Sequence, residues 1–239
     1  MLWYKAWLET RPRYIISLVG LVFLSSFLVF SKERHVDPWM VGGDYNLVLI
    51  EAHMALATLW VLAVTLLMMG GLVRERAAGS SSFTLALPVS RRRLMAARIG
   101  VGVLQGITLA VVPWCAMAVV AGIFGRAISV PQILFHILVL LSGGSAFFAM
   151  ALLVSSLVEG EYTSPVVSFG IVFAVLIELG DAKLARFSPL VFMFGLDEHR
   201  DKRTHLLLGP IPWLEMAIWV SLALLLMWTA VKVIERRDF

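Results

Sequence analysis

Apolar residues in this chain come in long unbroken runs rather than in alternation with polar ones, and those runs set its architecture. A helix needs roughly 20 apolar residues to cross a bilayer core about 30 Å thick. Six runs approach or reach that length: Tyr14 to Phe30, Ala52 to Val73, Ile99 to Phe124, Gln132 to Leu157, Thr163 to Gly180 and Trp213 to Val233. They predict an all-α integral membrane protein with six transmembrane helices. A spanning β-barrel would instead show short alternating segments of about ten residues. The first run is followed by Ser31, Lys32 and Glu33 with no small-residue cleavage pattern, so it reads as a retained helix and not as a signal peptide.

The polar stretches between the runs differ in kind. Residues 1–13 mix Trp3, Tyr4 and Trp7 with Lys5, Glu9, Arg11 and Arg13, which suits a short helix lying in the membrane interface, ended or bent at Pro12. Outside, the loop from Ser31 to Glu51 is short and acidic. Residues 181–211 form a longer outer loop, in which Ser188 to Leu196 is apolar but too short to span. That piece should lie in the outer interface or dip back into the protein.

Residues 74–98 are the main hydrophilic segment expected on the inner face. Gly70 and Gly71 allow a bend before it, and Arg74 to Ala78 reads as a short helix start with Glu75 near its N-terminus, where a negative charge is favoured. Gly79 and Ser80 to Ser82 loosen the chain, and Phe83, Leu85 and Leu87 return apolar side chains to the membrane surface. Pro88 blocks helix continuation, and Ser90 is placed to cap the next helix, which enters through Arg91, Arg92 and Arg93. The expected product is a helix-turn-helix elbow on the membrane.

Composition and charge sharpen this picture. The 239 residues are 60% hydrophobic and 15% charged, against about 45–50% and 25% in soluble domains. Lys5, Arg11, Arg13, Arg74, Arg76, Arg91, Arg92, Arg93, Arg98, Lys232, Arg236 and Arg237 fall on one set of connections and outnumber those on the other, which places both termini in the cytoplasm. The net charge of +4 needs only anionic lipid headgroups as a partner, and nothing calls for nucleic acid. Cys115 is the single cysteine, so no intrachain disulfide forms.

Ionisable residues near the runs are Glu51, His53, His136, Glu178 and Glu215. All sit towards the outer ends, where each reads as an interface residue paired with water or a headgroup. The functional alternative is a polar outer gate, with Glu178 and Glu215 as its best candidates. The midplane reads as holding only hydroxyls such as Thr65, Ser145, Ser168 and Ser221, a lining that fits a hydrophobic or amphipathic cargo. Gly102 and Gly106 form a GxxxG pair, and Gly143, Gly144 and Ser145 a second small-residue patch suited to close helix contact. Pro113 and Pro165 predict kinks.

Glu75, Gly79 and the run Leu87-Pro88-Val89-Ser90-Arg91-Arg92 resemble the cytoplasmic motif of the type-2 permeases of ATP-binding-cassette (ABC) transporters. Phe187-Ser188-Pro189 and the terminal Glu235 to Phe239 are similar to that family too, so the likeness extends over nearly the whole chain. Arg98 departs from it, since many relatives carry lysine there. The resemblance implies an exporter subunit in a bacterial-type inner membrane, working with two copies of an ABC ATPase and a second permease of the same or a related chain. It also implies that the elbow docks on the ATPase and that closure of two ATPases tilts spans one, two and five. The implied coupling residues are Glu75, Arg76, Gly79, Leu87, Pro88, Ser90 and Arg91, with Glu75 and Arg76 as the polar docking contacts and Arg91 to Arg93 at lipid phosphates or an acidic patch.

No GxxxxGK[ST] phosphate loop occurs, so ATP and Mg belong to a partner chain, and no catalytic, cofactor or metal site is expected here. An alternative is a haem-bearing membrane anchor of a respiratory enzyme, for which His53 and His136 would be the iron ligands. An intramembrane hydrolase lacks its motifs: there is no His-Glu-x-x-His and no Gly-x-Ser-x-Gly.

Overall fold

In hydrocarbon every backbone N–H and C=O must find its partner within the segment, so long apolar runs fold as helices. The computed structural model describes residues 2–33, 43–69, 90–126, 128–158, 163–178, 188–195 and 211–236. Its helices are α1 (Leu2–Glu33), α2 (Gly43–Met68), α3 (Arg91–Ile123), α4 (Val130–Leu157), α5 (Thr163–Glu178), α6 (Pro189–Phe194) and α7 (Trp213–Arg236). No strand occurs among the described residues. Five helices, α1, α2, α3, α4 and α7, are long and apolar enough to cross a membrane, which marks the chain as a membrane protein. At 16 residues α5 is shorter.

The N-terminal segment departs from expectation. Instead of a separate interfacial helix over residues 1–13, α1 is one helix of 32 residues that continues through Pro12. Proline removes one backbone bond and crowds the preceding turn, at a cost of about 3 kcal/mol in a helix interior. Bonds to α3 on either side oppose that cost: Gln105 Nε2 donates to Thr10 Oγ1 at 2.8 Å, and the Tyr14 and Thr108 hydroxyls meet at 2.9 Å. Trp3 lies over Gly100, where a Cβ would collide with its ring, and Phe30 meets Phe124 with ring centroids 5.7 Å apart. Successive contacts therefore advance together along both helices, so α1 and α3 run parallel.

Trp60 of α2 fixes the centre. Its indole Nε1 donates to the Gly106 carbonyl of α3 at 3.0 Å, and its ring occupies the space that a Cβ on Gly144 of α4 would need. Gly102, one turn before Gly106, faces Met68 and Phe148. Both small-residue patches thus serve close contact within this one chain. Pro113 is buried inside α3, which continues through it.

The short apolar stretch after residue 187 dips into the protein. In α6, Leu190 and Met193 are fully buried against α4 and α2. Gly143 makes the seat: a Cβ there would meet Met193 Cγ at 2.6 Å and the Pro189 carbonyl oxygen at 3.1 Å. The helix stops at Gly195, whose φ of 64° lets its N–H return to the Phe192 carbonyl.

Candidate functional site

One end of the bundle brings together the end of α2, the start of α3 and the end of α7. The last carbonyls of a helix have no partner within it and carry the negative end of its dipole, so cations are favoured there. Two arginines meet that need at the end of α2. Arg13 Nη1 donates to Leu66 O at 3.2 Å and Met69 O at 2.5 Å, and Arg98 Nη2 of α3 donates to Met68 O at 3.2 Å.

Beside them α3 begins at Ser90, whose backbone is extended and whose hydroxyl accepts from Arg93 N at 3.4 Å, the cap its position predicts. Arg91 Nη1 then donates to Ile234 O of α7 at 3.4 Å. Arg92 grips the Glu235 carboxylate through Nε and, at 3.2 Å, through Nη2, and Lys232 reaches the same carboxylate at 3.3 Å. Both Arg92 and Glu235 lie beyond the apolar runs. The hydrogen bond from Arg92 holds the Glu235 carboxyl below the usual carboxylate range, and the same bond raises the Arg92 guanidinium.

This geometry changes the expectation for the arginine cluster. Arg91 and Arg92 each make a bond within the chain, to the last turn of α7, in addition to whatever their exposed donors meet outside it; Arg93 is exposed. The sequence held a signal for it: Glu235 is an acidic residue in the last turn of a helix whose neighbours are otherwise basic. Glu75, Arg76, Gly79, Leu87 and Pro88 lie outside the described residues, which stop at Met69 and resume at Ser90. Of the outer-gate candidates, Glu215 is exposed in the first turn of α7, and the side chain of Glu178 lies outside the description.

At the opposite end, α2, α3, α4 and α6 meet around two histidines. His53 is 1% exposed and His136 3%, so neither is a hydrated interface residue. Each ring packs against the other and against Trp114, and His53 also meets the Met193 carbonyl of α6. The rings meet edge to face with centroids 4.6 Å apart, and Trp114, fully buried, lies 5.5 Å from His53 and 4.7 Å from His136. His53 Nε2 bonds to Met193 O at 2.8 Å and His136 Nδ1 to Gln132 O at 2.7 Å. A carbonyl only accepts, so the proton sits on Nε2 of His53 and on Nδ1 of His136. A haem iron between two histidines needs the thickness of the macrocycle and two metal bonds between the rings, and these rings are already in contact.

Deeper groups also differ from expectation. Gln105, 2% exposed, is a buried amide bonded to Thr10, so the interior polar groups extend beyond hydroxyls. Thr65 and Ser145 bond to carbonyls of their own helices, Val61 O at 2.7 Å and Ser142 O at 2.6 Å. Ser168 is buried and Ser221 exposed. No protein-family model and no curated protein matches this chain.

Proposed function

We propose that the chain is the membrane-spanning permease subunit of an ATP-driven ABC exporter of the type-2 kind. The observation that carries this reading is the Leu87 to Arg92 run, with Glu75 and Gly79 before it, set between two helices whose ends meet at one basic end of the bundle. Arg98 of α3 binds the last turn of α2, so the connection between them begins and ends on the same side of the bundle. Arg13, Arg91, Arg92, Arg93, Arg98, Lys232 and Arg236 mark that end as cytoplasmic by their charge. In this reading α5 is the remaining one of six crossings, and both termini are cytoplasmic in a bacterial-type inner membrane.

A separate ATPase, in two copies, supplies hydrolysis, and a second permease, same or homologous, completes the pathway. Glu75 and Arg76 make the polar docking contacts, and a push on the elbow enters α3 at Ser90. The cargo is hydrophobic or amphipathic. Neutral groups, Thr65, Gln105 and Ser168, are the buried polar ones deep in α2, α3 and α5, and a highly charged cargo would need stronger partners than these in low dielectric.

The test is reconstitution with the ABC ATPases of the same organism. One of them should co-purify with the chain, and Glu75→Ala with Arg76→Ala should abolish ATP-driven transport while the helical content stays unchanged. Transport at the unaltered rate in that double variant would remove the elbow assignment.

A further inference from the structure

From the bonds at the basic end, and resting on the permease reading above, we infer that α7 is driven together with α3, through Arg92 and Glu235 as positioning residues. The resemblance implies that spans one, two and five tilt, with the push passing into α3, span three. The geometry adds span six. Any displacement of the elbow enters α3 at its capped first turn, and that turn holds the last turn of α7 by two independent means. Arg91 takes the Ile234 carbonyl at 3.4 Å, and Arg92 takes both oxygens of Glu235.

The contact has directional stiffness. A guanidinium and a carboxylate joined through two parallel N–H···O bonds resist sliding as well as separation, because the fork matches both oxygens at once. Lys232, one turn earlier on α7, shares Glu235 Oε2 at 3.3 Å and fixes the carboxylate from its own helix. Arg98, about two turns further along α3, ties the same helix to Met68 of α2. A push on α3 therefore moves the end of α7 with it, and α7 is packed along α4, the helix that also carries the seat of α6 at the far end. The ion pair lies at the bundle's edge, with side-chain exposures of 67% and 21%, where it stabilises the resting fold little; its placement suits transmission better than stability.

The experiment uses the full chain reconstituted in vesicles with its ATPase, with ATPase recruitment, hydrolysis and transport read separately. Arg92→Glu or Glu235→Arg alone should leave recruitment intact and lower transport per ATP about tenfold; the charge exchange R92E/E235R should restore it to within about twofold. A second variant, R92C/E235C on a C115A background, replaces the ion pair by a short bis-maleimide link. Linked protein should transport at least as well as the wild type, and unlinked protein should resemble the single reversals. Full coupling in the single reversals, failure of the exchange to restore it, or loss of transport on linking would each overturn the proposal. Failure of the wild-type chain to recruit the ATPase would instead overturn the permease reading beneath it. A single reversal that does not fold leaves the linked variant to decide, since linking bypasses the charges.

Discussion

The two ends of this bundle solve the same problem, holding helices in register, with opposite chemistry. At the basic end, helix α3 is tied to α2 and α7 by guanidinium groups on backbone carbonyls and on one exposed carboxylate. At the far end, the ties are two buried imidazoles, an indole and a glycine seat. Long charged side chains on a wet surface exchange partners cheaply and respond to salt, whereas a close-packed aromatic node transmits strain and tolerates little rearrangement. In the permease reading proposed above, force enters at the end tied by the Arg92–Glu235 fork, and the close-packed frame lies at the other.

The contrast is broken most severely at Trp60, the residue that joins the rigid frame. It is 2% exposed, bonds to Gly106 O and fills the gap left by Gly144. Trp60→Ala should cost about 3–5 kcal/mol through lost packing and an incompletely collapsed cavity. Steric-trap or denaturant unfolding in micelles measures it, and a loss below 1 kcal/mol would mean that α2, α3 and α4 are held together elsewhere.

His53→Ala comes next and acts locally. The Met193 carbonyl at the end of α6 loses its donor and stays buried, for about 1–3 kcal/mol. Amide exchange should speed up in residues 190–195 and remain slow in α3, while His53→Gln, which keeps a donor, should recover part of the protection. Uniform exchange across both helices would sink the idea that His53 seats α6 specifically.

Smaller again is the tie at the end of α2. Arg98→Ala removes one cation from a helix C-terminus and should cost about 0.3–1 kcal/mol. Arg98→Lys should recover most of it, since the dipole responds to charge more than to fork geometry. A thermal melt of the three proteins side by side reads the difference, and Lys behaving like Ala would show that the guanidinium bond to Met68 O matters more than the charge.

The same two ends show what a single chain discloses before it folds. Helices, the Ser90 cap and the small-residue patches at Gly102, Gly106, Gly143 and Gly144 are local signals, written in consecutive residues or in i,i+4 spacing, and they could be read directly. Pro12 misled because its cost is local and its compensation is not. The bonds that hold α1 straight against α3 join residues about ninety positions apart. Depth alone puts His53 and His136 at the interface, because it treats every residue near a helix end as facing water or headgroups. Depth carries no information about α6, whose Met193 carbonyl folds back onto His53. The bonds of Arg91 and Arg92 to α7 are illegible for the same reason: their partners, Ile234 and Glu235, each lie 143 residues away. Of the proposed coupling residues, the ones whose placement is described are those nearest α3; Glu75 to Pro88 rest on their sequence pattern.

The smallest effect discriminates best between the two ends, because only the charged one should feel salt and the loss of the Glu235 charge. The Glu235 carboxyl is held below its ordinary range by Arg92, so its bond stabilises the end of α7 at neutral pH. That contribution is fully present above the ordinary carboxylate range and is lost as pH falls through the depressed value, since the unfolded carboxyl takes up its proton first. Salt should weaken the pair as well, because the screening length shrinks from about 10 Å at 0.1 M to 3 Å at 1 M. A nitroxide on R236C, one residue beyond the carboxylate, should gain mobility on acidification and in concentrated salt, and in Glu235→Gln it should be mobile throughout. A label near His53 should register neither salt nor the Glu235→Gln change. If mobility at position 236 stays constant under all three changes, the last turn of α7 is held by the Arg91 bond to the Ile234 carbonyl alone, and the ion pair beside it carries no force between the helices.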